Sequence, residues 1–126
     1  MVEALREEGL RDEAGQLTGS LEALSGATQI LLSCRNPELR LANATIYLDA
    51  FGHVVIGWMW LRQAIVASRK LAGGDTTGDD RLFYEGKIMT CRYFTRHELP
   101  LARARLALCG SLDTTCLEAP AGIFGD

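Results

Sequence analysis

Phe51-Gly52-His53-Val54-Val55-Ile56-Gly57-Trp58-Met59-Trp60 is the stretch that decides the fold. At 100° per residue, Tyr47, Leu48, Phe51, Val54, Val55, Trp58, Leu61 and Ile65 fall in one broad apolar stripe. Ile56, Met59 and Trp60 fall on another side. A surface helix needs only one apolar stripe. A helix with two must be covered on two sides, by neighbouring helices or by another subunit. Asp49 and His53 bound the run at one end, Arg62 and Gln63 at the other, so it reads as too short and too interrupted to span a bilayer. The spacing predicts one long, buried helix over 41–72, with its helical run opening near Pro37. Trp58 lies in the main stripe, and its truncation to alanine is expected to cost about 3–5 kcal/mol.

Gly73 and Gly74 end this helix, after Arg69 and Lys70 in its last turn, where cations suit the helix dipole. Gly52 and Gly57 sit inside it among bulky residues, a setting that predicts close approach of another backbone. Upstream, Leu10, Ala14, Leu17, Leu21, Leu24, Thr28 and Leu31 recur at alternating intervals of four and three. That is the seam of a helix packed along its length. Its glycines at 9, 15, 19 and 26 each weaken it by roughly 1 kcal/mol relative to alanine, so packing must hold it. Residues 1–8 read as a lead-in. Asn36-Pro37 stops this helix near Arg35 and starts the next.

Downstream, residues 73–79 form a polar connector; no Gly-Lys-Ser/Thr follows, so it is not a phosphate-binding loop. Asp79 or Asp80 is the expected N-cap of a third helix. Leu82, Phe83, Gly86, Met89, Thr90, Tyr93, Phe94 and His97 share one of its faces. Pro100 interrupts the run and must kink or restart it. The pattern resumes through Leu106 to Cys109, and Gly110 ends it. Asp113 can cap one more turn, and Ile123 and Phe124 are expected to pin the tail. No stretch alternates with period two. The prediction is all-α: an up-down bundle of three long helices plus a short C-terminal element, one domain over 1–126.

Composition agrees. The 126 residues are 48% hydrophobic and 23% charged, enough for a real core. A net charge of −3 argues against a nucleic-acid binder or a polybasic membrane anchor. Six acidic residues by position 22, with no early apolar run, do not read as a signal peptide. Cysteines at 34, 91, 109 and 116 form no C-x-x-C pair and read as reduced, buried thiols of a cytoplasmic protein.

The chain offers little chemistry. His53 and His97 are its only histidines, and neither has the neighbours a metal site needs; Asp49, four residues before His53, reads as a hydrogen-bond partner. Cys91 has no histidine beside it to activate it. The basic third helix, with Arg81, Lys87, Arg92, Arg96, Arg103 and Arg105, reads as a solvated face that complements an acidic first helix; the alternative is an anionic-ligand or partner surface. No catalytic, cofactor-binding or metal-binding residue is expected in this chain.

Two stretches carry a resemblance. One is Ala42-Asn-Ala-Thr-Ile-Tyr-Leu48, continuing through residues 51–60. The other is Phe83-Tyr-Glu-Gly-Lys-Ile-Met-Thr-Cys-Arg-Tyr-Phe94 with Glu98-Leu-Pro100. Together with Leu112-Asp-Thr-Thr-Cys-Leu-Glu-Ala-Pro120, they resemble the C-terminal domain of long acyl-CoA dehydrogenases, the acetyl-CoA dehydrogenase-like C-terminal domain. The resemblance covers roughly residues 36–124. It implies an accessory domain of a flavoprotein oxidoreductase of fatty acid metabolism. In the full-length family FAD and the catalytic base belong to the preceding body, so Glu98 is not read as that base. The implied partner is that body or a second copy. A homodimer is expected, with Ile56, Met59 and Trp60 at the interface. The competing reading is a stand-alone bundle that binds an acyl or other apolar ligand.

Overall fold

The computed structural model describes residues 8–125. Most of the expected lead-in lies outside them; Glu8–Leu10 is a single 3-10 turn that seats Leu10 in the core. Six α-helices follow: α1 (Arg11–Ser33), α2 (Pro37–Leu41), α3 (Ala44–Ala72), α4 (Gly78–Tyr93), α5 (Leu99–Gly110) and α6 (Thr115–Glu118). A π-helical turn, Phe94–Glu98, joins α4 to α5. No strand occurs among the described residues. The fold is the expected all-α bundle, with α1, α3 and the α4–α5 pair as its long members.

Leu10, Ala14 and Leu17 of the first seam are fully buried, with Leu21 and Leu24 packed beside them. α5 lies against both α1 and α3, burying Leu99, Ala102, Leu106 and Cys109. Arg103 fastens it: its Nη2 donates to the Gln16 carbonyl at 2.7 Å and its Nε to Ser20 Oγ at 3.2 Å. The guanidinium lies where a side chain on Gly19 would stand. α4, by contrast, packs chiefly on α3.

The predicted helix from Pro37 to Ala72 is two helices. Asn36 caps α2 through its side chain, accepting from Glu38 N–H at 2.9 Å, with Pro37 in the first turn. Arg40 turns back to donate twice to the Cys34 carbonyl at the end of α1. Asn43 then leaves helical geometry, because its buried amide is used elsewhere: Nδ2 donates to the Asp113 carbonyl at 3.0 Å. A buried polar group must be satisfied, and here the break in the helix satisfies two.

One further helix signal differs from expectation. Thr77 is the N-cap of α4, and Asp79 and Asp80 sit in its first turn, where they favour the dipole without capping. Pro100 does restart the helix, but through the π turn before it: Leu99 N–H donates to the Phe94 carbonyl five residues back. Asp113 acts as expected, accepting from Thr115 N–H at 3.1 Å as α6 begins. Ile123 and Phe124 do not pin the tail; Phe124 is 91% exposed.

Candidate docking face

α3 spans about 43 Å at 1.5 Å per residue, and its inner face is made of small residues. Ala50, Val54, Gly57, Leu61, Ala64 and Ile65 are buried. A side chain on Gly57 would meet Leu99, Leu17 and Phe94 within 3.3–3.5 Å. Small residues let α1 and α5 approach closely, which leaves no room for the large rings. Gly57 therefore marks close approach, though of side chains and not of a backbone. Gly52 marks none, since a side chain there would meet nothing.

The large residues stand outside. Leu48, Phe51, Val55, Trp58, Met59 and Val66 are all exposed, Trp58 at 42%. Leu48, Phe51, Val55 and Trp58 recur at intervals of three and four, and Met59 and Val66 fall in the same arc, so they form one band down the helix beside the inner seam. The predicted main stripe thus merges two faces. Val54, Leu61 and Ile65 belong to the core, whereas Leu48, Phe51, Val55 and Trp58 do not. By length and composition α3 is also apolar enough to cross a bilayer, so the argument from a short, interrupted run does not hold for the whole helix. Its inner face is nevertheless packed against protein.

A groove of about 460 Å³ runs beside this band, between α3 and α4, with Met59, Val66, Ala67 and Phe83 as its apolar lining. Its cations lie on aromatic rings: Arg62 over Trp58 at 5.1 Å, and Lys87 over Trp60 at 5.4 Å and Phe83 at 5.2 Å. Of the three residues expected at an interface, Ile56 and Met59 are exposed, and Trp60 is half-buried against the core beneath Lys87. The third helix likewise turns differently from the expected face. Leu82, Phe83, Met89 and Tyr93 point outward, and Cys91 is its buried residue.

His53 sits in a polar cluster, and His97 does not join it. His53 Nδ1 lies 2.9 Å from the Asp49 carbonyl. A carbonyl only accepts, so Nδ1 carries the proton. Nε2 faces Glu98 Oε2 at 3.9 Å, and Arg105 pairs with the Asp49 carboxylate. This polar cluster ties α3 to the π turn and α5. Glu98, the last residue of the π turn, thus faces His53, and the sequence spacing gave no sign of it. His97 stacks on Tyr93 at 4.6 Å. Burial pushes the Cys91 thiol up to about 11, so it is a poor nucleophile. Among the described residues no group of three His, Cys, Asp or Glu side chains is arranged to hold a metal ion. The basic third helix does meet the acidic first one, through Arg92 and Glu13 at 3.7 Å. Glu85 pairs with Arg81 one turn before it.

The family model described as "Acetyl-CoA dehydrogenase C-terminal like" matches residues 1–120. The chain belongs to this family. The match includes the first helix, upstream of the stretches that carry the resemblance. Across 121 residues, 96% of this chain, it is 32% identical to the broad-specificity linear acyl-CoA dehydrogenase FadE5 of Mycobacterium tuberculosis. Across 89 residues, 71% of the chain, it is 33% identical to butyryl-CoA dehydrogenase of Syntrophomonas wolfei. The matched regions are 19% and 15% of those proteins, so the chain spans less than a fifth of either. It is an acyl-CoA dehydrogenase C-terminal domain.

Proposed function

We propose that this domain docks through the outer band of α3 onto the body of an acyl-CoA dehydrogenase, adding packing surface and no catalytic centre of its own. The observation that carries this is the exposed band from Leu48 to Val66, flanked by Phe83. Soluble monomers rarely leave more than a few hundred Å² of contiguous apolar surface uncovered. The relatives supply an occupant, because more than four-fifths of each lies outside the matched region. FAD and the oxidation of the acyl chain belong to that body. The hollow next to the groove is lined by Arg69 and Lys70 as well as Asp75 and Asp80, a balanced set that gives a flavin's pyrophosphate no net attraction. The cytoplasm is the matching location, supported by four cysteines that are all free thiols. Light scattering on mixtures with purified acyl-CoA dehydrogenase bodies tests docking. A 1:1 complex is expected, and Trp58→Asp should abolish it while leaving the helix content unchanged.

A second reading rests on the groove. Its apolar lining and the cations Arg62 and Lys87 suit an amphipathic anion such as an acyl carboxylate. A saturable rise in melting temperature with fatty acids, lost in Lys87→Glu, favours it.

A further inference from the structure

The outer band of α3 carries its own cations. Arg62 stands one turn after Trp58 and one turn before Val66, so it lies on the same arc as both. Lys87 reaches the band from α4, across the groove, with its ammonium over Trp60 and Phe83. None of the groove's described lining residues is acidic. The acids around it are answered elsewhere: Asp49 by Arg105 and Glu85 by Arg81, while Asp75 and Asp80 share their hollow with Arg69 and Lys70. Among the described residues, neither Arg62 nor Lys87 is paired with a carboxylate. The face is therefore apolar, with an unbalanced positive charge at these two residues.

These charges limit what can cover the band. Arg62 lies over the Trp58 ring at 5.1 Å. A guanidinium over a ring keeps its charge, and its N–H fork suits a carboxylate gripped at two points. Covering two uncompensated cations with a docked surface is costly unless that surface supplies the counter-charge. A second copy meeting this face with its own band brings two more cations instead. We infer that the body surface covering the band is an apolar patch that bears carboxylates opposite Arg62 and Lys87. These two residues then decide which surface docks, while the apolar band supplies the contact area. The inference rests on the docking reading above and adds the chemistry of the partner surface to it.

Calorimetric titration of the full chain with a purified acyl-CoA dehydrogenase body, at low and high salt, is the test. Wild-type affinity should fall as salt rises. Arg62→Glu and Lys87→Glu should each bind about tenfold more weakly at low salt, lose most of the salt dependence and keep their circular dichroism. Arg62→Lys should retain the salt dependence. Arg35→Glu, the same charge change in the exposed connector after α1, should bind like the wild type. Docking that Trp58→Asp abolishes but both charge reversals leave untouched would overturn the inference and spare the docking proposal. No complex with the wild type would defeat both. A light-scattering mass of twice 13.8 kDa for the chain alone, returned to the protomer by Trp58→Asp, would overturn the inference in favour of a second copy. A saturable rise in melting temperature with dodecanoate, lost in Lys87→Glu, beside docking that ignores both reversals, would overturn it in favour of a free acyl chain.

Discussion

The Tyr47 hydroxyl of α3 lies 2.7 Å from the Thr28 hydroxyl of α1. Thr28 spends its own proton on the Leu24 carbonyl, also at 2.7 Å, so Tyr47 is the donor between them. The pair ties the register of α1 to that of α3. Tyr47→Phe keeps the ring and removes the donor. It should cost about 1 kcal/mol, read from urea unfolding, with no change in helix content.

Trp58 and Leu61 are one turn apart and should behave oppositely. Leu61 is 2% exposed, and Leu61→Ala opens a cavity worth about 2–5 kcal/mol. Trp58 is 42% exposed with a cation over its ring, and Trp58→Ala should cost less than about 1 kcal/mol in the isolated domain. Denaturant midpoints of the two variants check this. The expected large loss at Trp58 does not survive the finding that its ring lies outside the core.

Helix content, the first seam and the restart at Pro100 were legible because each rests on local spacing or on a proline. The face of α3 was not. Hydrophobicity alone ranks Trp58 and Phe51 above Ala50, Gly57 and Ala64 as core candidates, whereas close helix packing selects the small residues. A glycine and two alanines at 50, 57 and 64, seven apart, were the available signal. The break at Asn43 was invisible for a different reason: its partner, the Asp113 carbonyl, lies 70 residues away in the chain.

The four thiols should separate by reactivity. Cys116 is exposed and Cys34 partly so, while Cys91 and Cys109 are buried. Iodoacetamide at neutral pH should label Cys116 first, Cys34 next and the other two only on unfolding. Burial raises Cys91 from 9.0 to about 11, with Glu13 adding to the rise, so folding favours its neutral thiol. That contribution is whole below pH 9 and is lost as the pH climbs through about 11. Thermal unfolding across this window should show a fall in melting temperature that Cys91→Ala reduces.

The glycines of α1 divide by what surrounds them. A side chain on Gly15 or Gly26 would meet nothing within 4 Å, and replacing either by alanine should add about 0.5–1 kcal/mol of stability. Gly19 lies 2.6 Å, at the position of an added carbon, from Arg103 Nη2. Gly19→Ala must displace that guanidinium from the Gln16 carbonyl, so it should gain nothing or lose stability. Paired melting curves of Gly15→Ala and Gly19→Ala distinguish the two.

The central claim is that the outer band of α3 is covered by an acyl-CoA dehydrogenase body. A benzophenone side chain installed in place of Trp58 reports this directly in the producing cell, with an installation at the exposed Glu22 of α1 as control. After irradiation, mass spectrometry of the cross-linked product should identify an acyl-CoA dehydrogenase body joined at position 58 and absent at position 22. Equal cross-linking from both positions, or a position-58 product containing no dehydrogenase sequence, would contradict the account.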